Sequence, residues 1–261
     1  MVKFCVLASG STGNSAFIAT SKTRILVDAG LTLRETVKRL ASIGESITDL
    51  DAVLVTHEHS DHISGLLRVL RHCRKNGRRL PAYLTKLTGP EIDWEGFDAQ
   101  QELFQSGARF NIGDIEINSF GIPHDARDPV GFHFCAEGVR IGLATDLGYI
   151  PDSVRFHMRG VDLMLLESNH DREMLRVGPY PWVVKQRVAG RRGHLSNDAV
   201  CEFLREDLDS STAILILGHL SDINNYPGIV RMAAESALIA RGHQARLIVA
   251  EQSVPSEVFA F

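Results

Sequence analysis

Thr56-His57-Glu58-His59-Ser60-Asp61-His62 decides how the rest of the chain is read. The run before it, Ala52-Val53-Leu54-Val55, is apolar and β-branched and predicts a buried strand. After it, Ile63, Leu66, Leu67 and Leu70 recur at helical spacing and predict a helix over 63–75. The polar cluster therefore stands on a strand-to-helix turn, where α/β folds present their chemistry. Three imidazoles and a carboxylate so close together supply nitrogen-rich ligands for borderline divalent metals. A solvated loop would draw on Ser, Asn and Gly rather than on three histidines.

Such a site must be closed by ligands from elsewhere, and the ends of other buried runs offer them. The strand predicted at 115–121 leads to Ile122-Pro123-His124-Asp125. Strands at 131–136 and 139–144, joined by a tight turn at Glu137-Gly138, deliver Thr145-Asp146-Leu147-Gly148. The run at 161–166 ends in Glu167-Ser168-Asn169-His170-Asp171, a polar rim, and the run at 212–217 ends in Gly218-His219-Leu220-Ser221. His57, His59, Asp61, His62, His124, Asp146 and His219 thus all fall at strand ends and converge on one edge of a layered sheet. A carboxylate such as Asp146 is the ligand type that bridges two cations.

The rest of the chain reads as scaffold. Strands are expected at 3–8, 16–20, 24–28, 82–85, 102–105 and 245–249, and helices near 31–43, 152–159, after Asn197-Asp198 and at 228–241. Ser9-Gly10-Ser11-Thr12-Gly13-Asn14-Ser15 is either a hairpin turn or a loop that approaches an anion with its N–H groups. Asp28 either caps the helix that follows or supports the metals from behind. Two segments are basic: Arg68, Arg71, Arg74, Lys75, Arg78 and Arg79, with no acid between 66 and 90, and Arg172 to Arg192, which lacks periodicity and runs into Gly193-His194-Leu195-Ser196-Asn197. Each is a solvated face or a field for a polyanion.

Composition sets the outer limits. The 261 residues are 44% hydrophobic and carry a net charge of −4, which fits one large domain or two small ones and gives no global pull toward nucleic acid or anionic membrane. Cys5, Cys73, Cys135 and Cys201 are scattered without a C-x-x-C pair, so reduced thiols are expected, not a disulfide framework or zinc ribbon. The apolar part of the N-terminus is too short for a signal peptide, and no run approaches the ~18 residues of a membrane span. A cytoplasmic protein is expected.

The order H-x-H-x-D-H, then His, Asp and His, resembles the metallo-β-lactamase superfamily, across essentially the whole chain. The resemblance implies an α/β fold, the four-layer αββα sandwich, as a single domain over 1–261. It implies two divalent metal ions, Zn2+ first and Mn2+ as alternative: His57, His59 and His124 on one, Asp61, His62 and His219 on the other, with Asp146 and a hydroxide bridging. The Ser9–Ser15 loop and the 166–171, 193–197 and 218–221 motifs resemble the YycJ/WalJ-like branch. That branch is 5′→3′ exonuclease-like on DNA and akin to tRNA 3′-processing ribonucleases and cyclic phosphodiesterases. The implied partner is nucleic acid, DNA over RNA, or another phosphodiester, with a homodimer compatible. Asp61 and His194 are then catalytic, and Asn14, Ser15, Asn169, His170 and His194 contact substrate.

Rival readings are a thioesterase or lactonase of the same fold, a β-lactamase, and a non-catalytic metal-binding module. The first has no need of the basic segments or of His194, the second would carry an export signal, and the third would show a broken ligand set. The short interval between Asp146 and His219 excludes the large inserted domain of RNase J-like nucleases.

Overall fold

In the computed structural model, which describes residues 1–261, Phe4 and Val6 of the first strand point into one core and Cys5 and Leu7 into another. A strand buried on both faces needs a continuous apolar run, and this is why so many strands here lack polar alternation. One seven-stranded sheet holds β1 (Lys3–Ala8), β2 (Ser15–Ala19), β3 (Arg24–Val27), β4 (Ala52–Leu54), β5 (Ala82–Thr85), β6 (Gln101–Phe104) and, at its edge, β14 (Phe259–Ala260), in the order β14-β1-β2-β3-β4-β5-β6. The other holds β7 (Arg109–Ile112), β8 (Ile115–Gly121), β9 (Val130–Ala136), β10 (Val139–Ala144), β11 (Leu163–Glu167), β12 (Ile214–Gly218) and β13 (Arg246–Val249), in the order β13-β12-β11-β10-β9-β8-β7.

The two sheets share an inner core that includes Phe4, Ile18 and Leu54 from the first and Phe132, Phe134 and Ile216 from the second. Outside the first sheet, α1 (Leu33–Ser42) and α3 (Leu66–Lys75) bury Leu40, Leu66, Val69 and Leu70 against Leu7, Phe17, Leu26 and Val53. Outside the second, α4 (Asp152–Met158), α7 (Asn197–Glu206) and α8 (Pro227–Arg241) cover Met164, Leu166, Leu215 and Leu217. These are the four αββα layers expected from the sequence.

Several boundaries differ for local reasons. The expected helix over 63–75 is two pieces, α2 (Ser60–Ile63) and α3, broken at Ser64-Gly65. Gly65 donates its N–H to the Ala29 carbonyl, and a Cβ there would lie 1.8 Å from the Leu31 carbonyl oxygen. Thr32, not Asp28, caps α1, its side chain accepting from Glu35 N–H. The turn at Glu137-Gly138 is as tight as expected, with both residues at positive φ, and register Val139↔Ala136. The sequence reading lacked β7, β14, α5 (Arg172–Val177) and α6 (Trp182–Val188). The two strands are edge strands, and α6 buries no residue, so none of the four carries a strong apolar period.

Candidate metal centre

The polar residues gather where strands of both sheets end. Asp28, Asp146 and His219 follow the ends of β3, β10 and β12, and all three sit in the left-handed region, with φ of 58°, 63° and 55°. Non-glycine residues take that conformation at a cost and only where surrounding structure over-determines it, typically at functional sites. The loop 56–62 is fixed from below: Asn14 N–H donates to Asp61 O at 2.7 Å, Ala29 N–H to His62 O at 2.8 Å, and Gly30 N–H to Asn14 O at 3.0 Å.

Four of the five histidines, all but His59, are turned by a bond to the outer nitrogen. His62 Nδ1 donates to Asp28 Oδ2 at 2.8 Å, and Asp28 also accepts from Thr56 N–H and Oγ. His57 Nδ1 donates to Thr56 Oγ at 3.0 Å, His124 Nδ1 to the Gly193 carbonyl at 3.1 Å, and His219 Nδ1 to Glu167 Oε1 at 2.9 Å. The inner nitrogens then face one another. His59 Nδ1 and His124 Nε2 are 3.2 Å apart, and His62 Nε2 and His219 Nε2 lie 3.2 and 3.3 Å from Asp146 oxygens. Carboxylate and carbonyl partners behind imidazoles set the tautomer a metal requires.

Three groups have donor atoms within 4.8 Å of one another: His57/His59/His124, Asp61/His62/Asp146/His219, and Asp146/Glu167/His194/His219, the last overlapping the second and joined through the bonds Glu167 makes to His194 and His219. Asp146 lies between the first two, one oxygen 3.2 Å from His62 and the other 3.3 Å from His219 and 3.8 Å from His124. His57 Nε2 and Asp146 Oδ2 are buried without a hydrogen-bond partner, and such orphans at the focus of a donor set fit a cation. Burial pushes the His57 pKa well down, so this imidazole is neutral and ready to ligate. Burial opposes protonation of His219 too, but Asp146, Asp61 and Glu167 outweigh it and raise its pKa to about 10.

Glu167 is the residue the sequence reading undervalued. Placed only within a rim motif, it is fully buried at the end of β11 and accepts from His194 Nδ1 at 2.7 Å, His219 Nδ1 at 2.9 Å, and Leu147 and Leu195 N–H at 3.0 Å. Burial pushes this carboxyl up, but the two imidazoles prevail and hold it at about 2. Conversely, burial disfavours the proton on His194 and Glu167 more than restores it, raising that pKa. Its place at the end of β11 is the one signal the sequence offered for it.

The expected substrate contacts divide. Asn169 and His194 line the groove over the candidate metal ligands, together with Ser11, Tyr180, Arg187 and Ser221. Asn14 stands behind it, its Nδ2 donating to Asp61 Oδ2 at 3.0 Å, and Ser15 spends its hydroxyl on the Asp28 carbonyl at 2.9 Å. The Gly10 N–H of their loop is occupied by Asn14 Oδ1, which disfavours the anion-cradle reading. His170 lies on the far side of His194, in the wall of a second cavity.

The basic segments also part company. The fold brings Glu95 to Arg71, Asp98 to Arg74 and Arg79, and Asp51 to Arg78, at 2.8–3.2 Å, so most of the 68–79 charge is locally neutralised. In the other segment Arg187 pairs with Asp125 at the groove, and Arg192 Nε donates to the His124 carbonyl at 2.9 Å.

Residues 23–219 match the sequence profile of the beta-lactamase superfamily domain. The chain belongs to the beta-lactamase superfamily. Within it, the chain is 40% identical over 241 residues to the exodeoxyribonuclease WalJ of Streptococcus pneumoniae, spanning 90% of this chain and 88% of that one. It is 36% identical over 247 residues to the exodeoxyribonuclease YycJ of Bacillus anthracis, spanning 92% and 90%. The metallo-β-lactamase fold protein YhfI of Bacillus subtilis shares the fold, with a TM-score of 0.74 at 16% identity over 98% of this chain and 100% of that one. No helix is long and apolar enough to cross a membrane.

Proposed function

We propose that this superfamily hydrolase is a metal-dependent phosphodiesterase acting on DNA ends, as the exodeoxyribonuclease names of its relatives WalJ and YycJ suggest, and that it acts 5′→3′, as the resemblance in the sequence implies. The observation that carries the proposal is His194. It lies off both ligand triads, Nδ1 held by Glu167, at the wall of the groove the metal ligands floor. His57, His59 and His124 would hold one divalent cation and Asp61, His62 and His219 the second, with Asp146 shared, zinc being preferred for this nitrogen-rich set and manganese the alternative. Bound there, the pair supplies Lewis acidity to the phosphoryl oxygens and an acidified water.

The protein's own groups then divide the work. Asp61, fixed by Asn14, accepts the proton of the attacking water. Glu167 keeps His194 protonated and oriented, leaving Nε2 to donate its proton to the departing 3′ oxygen. Asn169 Nδ2 donates to the His219 carbonyl at 2.8 Å, which fixes its amide at the groove wall beside the non-bridging oxygens. Arg187 contributes positive charge at the groove mouth. A DNA substrate and four free cysteines fit a reducing, cytoplasmic setting.

The test is zinc- or manganese-supplemented hydrolysis of 5′-labelled DNA and RNA beside a thioester and a β-lactam. The expected result is release of labelled mononucleotide from DNA, abolished in Asp146→Ala together with metal content. In His194→Ala the rate should fall about 10²–10⁴-fold while metal is retained. Turnover of thioester or lactam alone overturns the proposal.

A further inference from the structure

A second cavity of about 530 Å³ opens beside the metal groove, and His194 lines both. Its wall is built largely from α5, α6 and their flanks, the segment without buried apolar periodicity. Trp182 lines it and is 70% exposed, on a helix that buries nothing. No packing role accounts for so large an aromatic side chain held in water. One face of the neighbouring Tyr149 is already covered by the Arg191 guanidinium at 4.2 Å, which leaves Trp182 as the free aromatic plate.

Two further features point to a ligand. Arg172, Arg176 and Lys185 line the cavity and no carboxylate does; Glu173 pairs with Arg176 at 2.7 Å and Asp198 lies 3.6 Å from Arg172, both acids standing outside the lining, so the groups a ligand would meet are cationic and partly neutralised from behind. His170 is 2% exposed, yet its Nδ1 has no hydrogen-bond partner, an uncompensated polar atom in the cavity wall. The volume lies within the range of about 300–1,000 Å³ that holds small organic ligands.

We infer that this cavity receives the 5′-terminal nucleotide of the DNA, its base stacked on Trp182 and its phosphate facing Arg172, Arg176 and Lys185. The inference rests on the 5′→3′ reading of the metal groove. In such a cut the P–O3′ bond of the terminal nucleotide breaks. The water oxygen becomes part of the new 5′-phosphate on the shortened strand, and the freed 3′ oxygen takes the proton of His194. The leaving nucleotide must therefore lie on the His194 side of the scissile phosphate, and the cavity is the volume that adjoins His194 there. A base inserted in this cavity cannot stay paired, so the substrate class is an unpaired or frayed 5′ end. A stacking plate without a dedicated donor–acceptor pattern makes the site tolerant of base identity.

The test is a fluorescence titration of the zinc-loaded protein with deoxyadenosine 5′-monophosphate, with inorganic phosphate as comparator, alongside cleavage of DNA bearing 5′ overhangs or blunt ends. Saturable quenching by the nucleotide and not by phosphate is expected, and it should be lost in Trp182→Ala, where Trp94 remains as the other tryptophan. KM for overhang DNA should rise about ten-fold or more in Trp182→Ala and in the cavity-filling Ala189→Trp, exceeding any change in kcat. Overhang DNA should be cut faster than blunt DNA. Cleavage with KM unmoved in Trp182→Ala and no nucleotide-specific quenching overturns the cavity assignment and leaves the nuclease standing. Nucleotide quenching in a protein that cuts no DNA overturns the nuclease reading instead and keeps the cavity as a nucleotide site.

Discussion

The loop 56–62 and the segment 171–194 border the same groove and are built by opposite means. The loop buries Thr56, His57 and His62, leaves Glu58, His59 and Asp61 half-buried and only Ser60 exposed, and its backbone is bonded to Asn14 and Ala29. The segment is largely exposed and is tied down by side chains: Arg187 to Asp125, Arg192 to the carbonyls of His124 and Ala126, and Lys185 to that of Arg176. A metal site demands ligands fixed to a fraction of an ångström, so its backbone is locked by packing and main-chain bonds. A surface that admits and releases a polymer end draws on the less stable part of the fold. The difference predicts that the loop fails abruptly under substitution while the segment responds by degrees.

The sharpest way to break the comparison is Gly30→Ala. A Cβ at Gly30 would stand 1.7 Å from the Asp61 carbonyl oxygen and 2.7 Å from Asn14 N, both backbone atoms that cannot yield without moving the ligand loop. The expected loss is about 3–5 kcal/mol of stability, with metal binding lost as well. Gly44→Ala, at φ 76° with nothing within 4 Å, is the control and should cost about 1 kcal/mol from backbone strain alone. Thermal unfolding of the two variants separates the effects. Equal losses would mean that the loop is less locked than its contacts indicate.

The segment's anchor at His170 is read by pH. Burial lowers the His170 pKa to about 4 from 6.5, the opposing pull of Glu167 being smaller. The unfolded chain binds this proton below pH 6.5 and the folded chain does not until about 4, so stability is present above 6.5 and is lost as pH falls through that window. Between pH 7 and 4.5 the metal-free protein should lose about 2–3 kcal/mol through this residue, and His170→Gln should lose that much less. Urea unfolding at the two pH values checks it. Parallel losses in both proteins would show that His170 is hydrated rather than sealed.

Legibility followed the same division. The αββα layering was readable, and the structure brings all seven candidate ligands together, because His and Asp are rare residue types at strand ends and doubly buried strands are continuous apolar runs. Glu167 carries no role in the sequence, since a carboxylate at a strand end looks like a rim residue until two imidazoles are seen to share it. Asn14 and Ser15 were placed one layer too far forward. Sequence shows that a polar loop is near the site, not which side of Asp61 it occupies. Helices α5 and α6 were invisible because they bury little, and helical periodicity is a signature of burial. The cavity they build, with Trp182 in it, was therefore out of reach as well.

The charge of residues 68–79 was legible and its meaning was not, and the smallest expected effect tests why. The acid-free window from 66 to 90 looked like a field for phosphates, yet Asp98 meets both Arg74 at 3.0 Å and Arg79 at 3.1 Å, and the three side chains are 73%, 39% and 56% exposed. Exposed pairs of this kind contribute little, so Asp98→Asn should change stability by less than about 1 kcal/mol. It also frees two cations on a face that lines neither the groove nor the cavity beside it. If DNA is held only by the 171–194 side, the salt dependence of binding stays as in the parent protein. A slope of log K against log salt steeper by about 0.7 for each freed cation would show single-stranded DNA running over α3, and the two basic segments would then be one continuous track.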